Sequence, residues 1–235
     1  MDKKVIVFDF DGTLSKKGTN IWKALWQSVG YSVDRQSDFA KLYVSFMKGE
    51  ITHQKWCDLT CDFLRDGGLN RDLLLCIAQK YQLMNGFEKT IKTLKGAGYE
   101  LHIVSGGVKP VINYLIKDYR DCFASVNAND LLFDNDGRLT EIRGTKYDFE
   151  GKAIFINELL CENEGLTSSD ITFVGNGDND EWAYKSGCNT LCINPDNTDA
   201  SNRTIWHDAI DNVESLTQIL SKFTVQNKHS KYIDF

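Results

Sequence analysis

No stretch of this 235-residue chain is apolar over the roughly 20 residues that a membrane-spanning helix requires. An apolar run does occur near the N-terminus, at residues 5–8, but Asp9 and Asp11 interrupt it. It is therefore too short for the core of a signal peptide. These absences favour a cytoplasmic protein with no membrane partner.

The chain also lacks an excess of positive charge and the cysteine spacing of metal-binding modules. It has 27 Lys and Arg against 33 Asp and Glu, a formal net charge of −6. That balance argues against a general nucleic-acid binder. Seven cysteines are present without a C-x-x-C pair, so we expect reduced thiols and no zinc site. No internal repeat or low-complexity segment is present, and the length suits one large domain or a core with a smaller second one.

Short β-forming runs alternate, for the most part, with helical patterns. This alternation predicts an α/β fold built on a doubly wound parallel sheet with helices on its faces. Helices are predicted at Gly86–Lys95 and Glu150–Glu162. The predicted strands are Val5–Phe8, Leu101–Val104, Ile171–Val174 and Leu191–Ile193.

Between residues 15 and 85 apolar residues recur at helical spacing and no strong strand is present. About 70 residues are too many for a connection between two elements. We therefore predict a small helical cap domain at 15–85, inserted into a core formed by 1–14 and 86–235. Within the cap, Trp22 and Trp26 lie four residues apart, which favours packing of cap against core over ligand stacking.

Two further features lie in the second half of the chain. Asp136-Gly137 between apolar runs predicts a β-hairpin at about 129–141. The last residues, about 225–235, are expected to form a weakly ordered tail.

Asp9 and Asp11 follow the first predicted strand, in the stretch Asp9-Phe10-Asp11-Gly12-Thr13. Open α/β sheets place their ligands at the carboxyl ends of strands. Two neighbouring buried carboxylates repel each other unless a cation or a shared proton relieves them. The pair therefore indicates a metal site, an acid/base pair, or both.

Three more elements follow strands or lie on a helix. Ser105-Gly106-Gly107 follows the second strand, and glycines there let backbone N–H groups approach an anionic oxygen. Lys152, near a helix start, is a point cation able to reach a phosphate. Gly175–Asp180 follows the third strand and offers oxygen ligands suited to Mg²⁺.

Taken together, these four elements closely resemble the motifs of the haloacid dehalogenase superfamily of phosphohydrolases. Their spacing, the helical insert and the hairpin are similar to its phosphoserine phosphatase-like branch. The resemblance covers nearly the whole chain. Its motifs are specific for the superfamily and its reaction, but they do not identify the substrate. It implies a Rossmann-like core with a cap, and Mg²⁺-dependent hydrolysis of a small phosphorylated metabolite by a monomer or homodimer.

The resemblance also assigns roles to residues. Asp9 would be the nucleophile that forms an aspartyl-phosphate, and Asp11 the general acid and base. Phosphate would be held by Thr13, Ser105, Gly106 and Lys152, and Asn179 would face the substrate. The implied metal ligands are Asp9, Asp11 (through its backbone carbonyl), Asn176 and Asp180.

Two departures from the family pattern leave alternatives open. Asn176 occupies a position where the family commonly has a metal-binding aspartate, which predicts weaker metal affinity or ligation by Asp178 or Asp180. A non-catalytic phospho-ligand-binding protein is therefore one alternative. A phosphonate hydrolase is another, and would need a reactive cap lysine, for which the candidates by type are Lys23, Lys41, Lys48 and Lys55.

The second departure concerns the substrate. The branch places a glutamate shortly after the first motif and an arginine in the cap, for the ammonium and carboxylate of phosphoserine. Residues 15–20 contain no acid, and the place of the arginine is taken by Thr60. We therefore expect a substrate other than phosphoserine. Lys16 and Lys17 are expected to form a solvated loop.

Overall fold

A single seven-stranded sheet forms the centre of the protein. The structure, a computed structural model, describes residues 3–195 and 205–223. The strands are β1 (Lys4–Phe8), β2 (Tyr99–Val108), β3 (Phe123–Phe133), β4 (Leu139–Arg143), β5 (Ile171–Gly175), β6 (Asn189–Ile193) and β7 (Asp208–Ile210). Their order is β4-β3-β2-β1-β5-β6-β7. All neighbours pair in parallel except β3 and β4, which are antiparallel.

Seven α-helices accompany the sheet in the described residues. They are α1 (Ile21–Ser28), α2 (Asp38–Met47), α3 (His53–Asp66), α4 (Arg71–Ala78), α5 (Phe87–Gly96), α6 (Lys109–Leu115) and α7 (Glu150–Glu162). Short 3₁₀ helices occupy Lys117–Cys122, Ser168–Asp170, Asp178–Ser186 and Leu216–Lys222. The predicted α/β fold with a mainly parallel sheet is confirmed.

Strand β1 is apolar on both faces because helices cover both sides of the sheet. Ile6 and Phe8 pack in the cluster that contains residues of α5, whereas Val5 and Val7 pack in the cluster that contains residues of α7. All four side chains are at most 1% exposed. This burial fixes β1 between β2 and β5, so its carboxyl end emerges at the middle of the sheet edge.

Helices α1–α4 lie in the segment between β1 and α5. Each begins with a side chain that accepts a hydrogen bond from the first turn, a cap worth about 1 kcal/mol; the capping residues are Asn20, Ser37, Thr52 and Asn70. Their apolar faces share a core with the β3–β4 hairpin through Leu131, Leu139 and Ile142. The helices are thus packed against that hairpin as well as against each other.

The hairpin turns at Asp134–Gly137, where Gly137 has a φ of +79°. Strand β3 begins at Phe123, before the predicted hairpin, because its first half pairs in parallel with β2. That half and β7 were not predicted, since both carry too few apolar residues for a clear pattern. The predicted tail at 225–235 lies outside the described residues. Across residues 3–195 and 205–223, the helices are all too short or too polar to cross a bilayer.

Candidate active site

The first strand delivers Asp9 to the floor of a cavity. The Asp9 backbone N–H donates to the Val174 carbonyl at 2.9 Å, continuing the ladder between β1 and β5. The Asp9 side chain is consequently held in place and only 4% of the residue is exposed. The chain then turns at Gly12, whose φ is +78°, and a Cβ there would lie 2.5 Å from Asn176 Nδ2. Glycine is therefore required at position 12 for the segments Asp9–Thr13 and Gly175–Asp180 to approach each other.

Lys152 joins two of the acidic residues beneath the cavity. It is fully buried, its Nζ lies 3.2 Å from Asp9 Oδ1, and it also donates to Asp180 Oδ1. The other Asp180 oxygen accepts from the backbone N–H groups of Asn176 and Gly177 at 2.8 and 2.9 Å. Asp180 thus fixes both the lysine and the loop after β5.

Asn176 lies between this loop and the first motif. Its Oδ1 accepts a hydrogen bond from the Thr13 hydroxyl at 3.1 Å, and both residues are buried. The Thr13 proton is therefore directed at the amide and not at the cavity. One lone pair of Asn176 Oδ1 remains for another partner.

The Ser105–Gly107 segment, which we call the glycine loop, lies near the carboxyl end of β2, where the pairing with β3 is irregular, and is held from two sides. The Gly106 carbonyl accepts from Trp22 Nε1 of α1 at 2.8 Å and from Asn129 Nδ2 of β3 at 2.7 Å. The Ser105 hydroxyl oxygen accepts from Gly107 N–H at 3.1 Å, which leaves its own proton for another acceptor. A helix outside the core therefore touches the loop that was predicted to hold phosphate.

Asp148 and Phe149, which the sequence analysis did not single out, complete this side of the cavity. Asp148 Oδ1 accepts from Asn179 Nδ2 at 3.2 Å and from Phe149 N–H at 2.9 Å. Phe149 has a φ of +47°, a strained backbone conformation for a bulky residue. A Cβ at Gly106 would meet Asp148 Oδ2 at 2.3 Å. The strained turn just before α7 therefore places the Asp148 carboxylate and the Phe149 ring beside the glycine loop.

Burial dominates the electrostatics of the floor. It raises the pKa of Asp9 to about 8, helped by the charge of Asp180 and opposed by that of Lys152. Burial likewise raises the pKa of Asp11 to about 7. Burial alone lowers the pKa of Lys152, but the carboxylates of Asp180, Asp9 and Asp148 together raise it above its usual range. Four acids thus surround one ammonium, an excess that a bound cation would relieve.

The floor offers oxygen donors that suit a hard cation. These are the carboxylate of Asp9, the backbone carbonyl of Asp11 and the amide oxygen of Asn176, from three residues that line one cavity. In the part of the chain that the structure describes, no three His, Cys, Asp or Glu side chains could hold a metal by themselves. Mg²⁺ needs only one or two carboxylates, because it keeps several waters and binds substrate phosphate. The donor set therefore fits Mg²⁺.

The cavity has a volume of about 270 Å³, room for a small metabolite. Its roof is aromatic and comes largely from helices α1, α2 and α3, through Trp22, Phe39, Tyr43, Phe46 and Trp56. Trp22 meets Trp56 edge to face at 4.9 Å, and Phe46 meets Phe149 at 5.4 Å between ring centroids. An acidic floor and an aromatic roof therefore enclose the same space.

A family model for haloacid dehalogenase-like hydrolases matches residues 3–187. The chain belongs to the haloacid dehalogenase-like hydrolase family. The resemblance inferred from the motifs is thereby confirmed.

Two similar proteins with curated names are phosphoserine phosphatases. The phosphoserine phosphatase of Archaeoglobus fulgidus is 31% identical over 180 residues, which are 76% of this chain and 49% of that protein. The phosphoserine phosphatase of Methanocaldococcus jannaschii is 27% identical over 184 residues, 78% of this chain and 82% of that protein. The chain thus spans about half the length of the first relative and most of the second.

Solved structures share the fold. One, described as a phospho-aspartyl intermediate analogue of phosphoserine phosphatase, matches with a TM-score of 0.74 at 23% identity. The match covers 95% of this chain and 100% of that one. A substrate-bound phosphoserine phosphatase matches with the same TM-score at 22% identity over the same shares. This hydrolase therefore has the phosphoserine phosphatase-like architecture.

Most site residues predicted from the sequence meet at this cavity. Its lining includes Asp9, Asp11, Ser105, Gly106, Asn176 and Asn179. Thr13, Lys152 and Asp180 are buried directly beneath it, and the side chain of Asp178 is outside what the structure describes. Their chemical roles stay predictions.

One expectation about the helices between β1 and α5 was incomplete. Trp22 of α1 donates to the Gly106 carbonyl of β2, but it also lines the cavity. His53 of α3, which no sequence motif indicated, lines the cavity too, with its Nδ1 3.0 Å from the Thr145 carbonyl. Helical spacing predicts which side chains lie on the buried face of a helix. It does not predict whether that face packs against other helices or lines a cavity.

Proposed function

We propose that this chain is a magnesium-dependent phosphatase that hydrolyses a small-molecule phosphomonoester through an aspartyl-phosphate on Asp9. The observation that carries the proposal is the buried Asp9 carboxylate 3.2 Å from Lys152 Nζ, on a cavity floor shared with Asp11 and Ser105. The names of the relatives support the reaction class.

In the first half-reaction, an Asp9 carboxylate oxygen attacks phosphorus. A bond forms between that oxygen and phosphorus as the bond from phosphorus to the leaving alcohol breaks. Ser105, through its free hydroxyl proton, and Lys152 bind phosphoryl oxygens, with a Gly106 backbone N–H beside them. Asp11, which lines the cavity beside Asp9, delivers a proton to the departing oxygen.

In the second half-reaction, water attacks the phosphorus of the aspartyl-phosphate. Asp11, now ionised, accepts a proton from that water, and the bond between phosphorus and Asp9 breaks. Inorganic phosphate leaves and both carboxyl groups return to their starting states. The aromatic roof keeps other water away while the intermediate exists.

The Asp9 carboxylate, the Asp11 backbone carbonyl and the Asn176 amide oxygen would hold Mg²⁺, whose positive charge would reduce the repulsion between the Asp9 carboxylate and an approaching phosphate. Asp180 has both oxygens engaged by Lys152 and the loop backbone. We therefore assign Asp180 to support of the site, and Thr13 to orientation of the Asn176 amide.

The phosphonate hydrolase alternative has no support from the cap. Its four candidate lysines, at 23, 41, 48 and 55, are all exposed and none lines the cavity. A Schiff base at any of them would form outside the space above Asp9. The phosphatase reaction is therefore the one that the geometry favours.

Turnover of para-nitrophenyl phosphate with added Mg²⁺ tests the proposal. Asp9→Asn should abolish it, whereas Asp136→Asn, an acid in the exposed hairpin turn, should leave it unchanged. Circular dichroism of both variants shows whether they fold. A folded wild-type protein that binds phosphate but turns over no aryl phosphate with Mg²⁺, Mn²⁺ or Co²⁺ would instead be a phospho-ligand binder.

A further inference from the structure

We propose that the alcohol portion of the substrate is apolar and carries no anionic group. The proposal rests on the proposed phosphatase function and concerns the upper part of the same cavity. Two independent features support it, the distribution of charge around the cavity and the nature of its roof.

The charged side chains that line the cavity are acidic, and the nearby cation Lys152 is assigned to the phosphoryl group. Within residues 3–195 and 205–223, no lysine or arginine lines the cavity, whereas Asp9, Asp11 and Asp148 do. His53 also lines it, but its Nδ1 lies 3.0 Å from the Thr145 carbonyl and its Nε2 3.8 Å from Cys57 Sγ. Lys152 lies under the floor and is engaged by Asp9 and Asp180. A carboxylate or second phosphate on the alcohol would therefore lose its hydration without gaining a cationic partner, which is costly.

The sites that hold an anionic substituent in phosphoserine-type recognition are not available here. Thr60, at the expected place of the cap arginine, is fully buried in the cap core and does not line the cavity. Lys16 and Lys17 are exposed and lie outside the cavity lining. That phosphoserine is disfavoured stays a prediction, and the charges around the cavity give a physical reason for it.

The roof supplies apolar contact instead. Trp22 and Trp56 form one edge-to-face pair, and Phe46 contacts both Trp56 and Phe149, so these rings pack into a continuous wall. Phe39 and Tyr43 extend the lining along α2. Such a wall stabilises a bound ring or alkyl chain by removing apolar surface from water. The wall itself offers few partners to a substrate rich in hydroxyl groups; the polar side chains of Thr19, Asn20 and Asn179 line the cavity beside it.

A matched substrate series tests both parts. Phenylethyl phosphate and its para-carboxy derivative differ by one carboxylate, and glycerol phosphate replaces the apolar body with hydroxyl groups. We expect kcat/KM for phenylethyl phosphate to exceed each of the other two by at least about tenfold. Equal values, or preference for the carboxylate or the polyol, would overturn the inference.

A charge-introducing variant provides a second readout. Tyr43 and Val44 are adjacent on α2 and similarly exposed, at 42% and 47%, but only Tyr43 lines the cavity. Tyr43→Arg should shift the kcat/KM ratio toward the para-carboxy substrate by about tenfold or more, and Val44→Arg should not. An unchanged ratio in folded Tyr43→Arg would contradict the inference.

The failure of this inference and that of the proposed function are distinguishable. If para-nitrophenyl phosphate is not hydrolysed, the phosphatase function fails and the inference falls with it. If it is hydrolysed in an Asp9-dependent manner while the carboxylate substrate is preferred, the function stands and only the inference is overturned.

Discussion

The hydrogen bond between Trp22 and Gly106 predicts that helix α1 of the proposed cap helps to order the glycine loop, Ser105–Gly107, which we propose binds phosphate. Trp22→Phe removes the Nε1 donor, 2.8 Å from the Gly106 carbonyl, but keeps an aromatic ring against Trp56. A neutral hydrogen bond contributes about 0.5–1.5 kcal/mol net, or between about twofold and tenfold in a rate or equilibrium constant. Because Asn129 Nδ2 still binds the same carbonyl, the loop should loosen without collapsing.

The matched control is Trp26→Phe. Trp26 is buried in the same helix, but its Nε1 has no hydrogen-bond partner among the described residues. The two substitutions remove the same atoms, and only one of them removes a contact with the loop. With para-nitrophenyl phosphate and saturating Mg²⁺, kcat/KM should fall about two- to tenfold for Trp22→Phe and less than about twofold for Trp26→Phe.

A third variant separates loop ordering from a change in cavity shape, since Trp22 also lines the cavity. Asn129→Ala removes the other donor to Gly106 from outside the cavity, and should lower kcat/KM in the same direction. Equal kinetics for Trp22→Phe and Trp26→Phe would refute the coupling between α1 and the loop. Wild-type kinetics for folded Asn129→Ala would refute the premise that ordering of the Gly106 carbonyl affects turnover. Urea unfolding of each variant supplies the stability comparison.

Three other residues give further predictions. Gly12→Ala combines a φ of +78° with a Cβ only 2.5 Å from Asn176, so it should lower the free energy of unfolding by about 2–4 kcal/mol in a urea titration. The control Gly18→Ala, at a φ of +79° but with open space around the Cβ, should lower it by only about 1 kcal/mol. Equal losses for the two variants would contradict this prediction. Asn176→Asp restores a negative charge beside the candidate metal ligands and should tighten Mg²⁺ binding about tenfold by calorimetry; weaker binding would argue against ligation at this position. Lys152→Met should reduce kcat/KM by about a hundredfold to a thousandfold, and wild-type activity would exclude its phosphate-binding role.

The sheet and the floor of the site could be predicted because they depend on local patterns. The continuous apolar run of β1 reports burial on both faces, and the acids at its end follow from where parallel strands place ligands. Ser105, Lys152 and Asn176 were identified in the same way, each after a strand or near a helix start. Because parallel strands place their carboxyl ends at the same edge of a sheet, the predicted strand order along the chain was enough to bring these segments together.

The upper part of the site depended on tertiary contacts that no local pattern encodes. Trp22 and Trp26 have the same helical signature, yet one lines the cavity and the other is fully inside the cap core. Asp148 reaches the cavity only through the strained turn at Phe149. An acid four residues before Lys152, at the start of a predicted helix, is the one sequence signal that could have pointed to Asp148.

The proposed aspartyl-phosphate on Asp9 can be detected by chemical mapping of the phosphoryl group during turnover. The protein is mixed with para-nitrophenyl phosphate and Mg²⁺, quenched in acid within the first turnovers, and digested for mass spectrometry, with Asp9→Asn processed in parallel. We predict one added phosphoryl group on the peptide that contains Asp9, localised to that carboxylate and absent from the variant. A phosphoryl group on another residue, or none under conditions where phosphate is released, would contradict it.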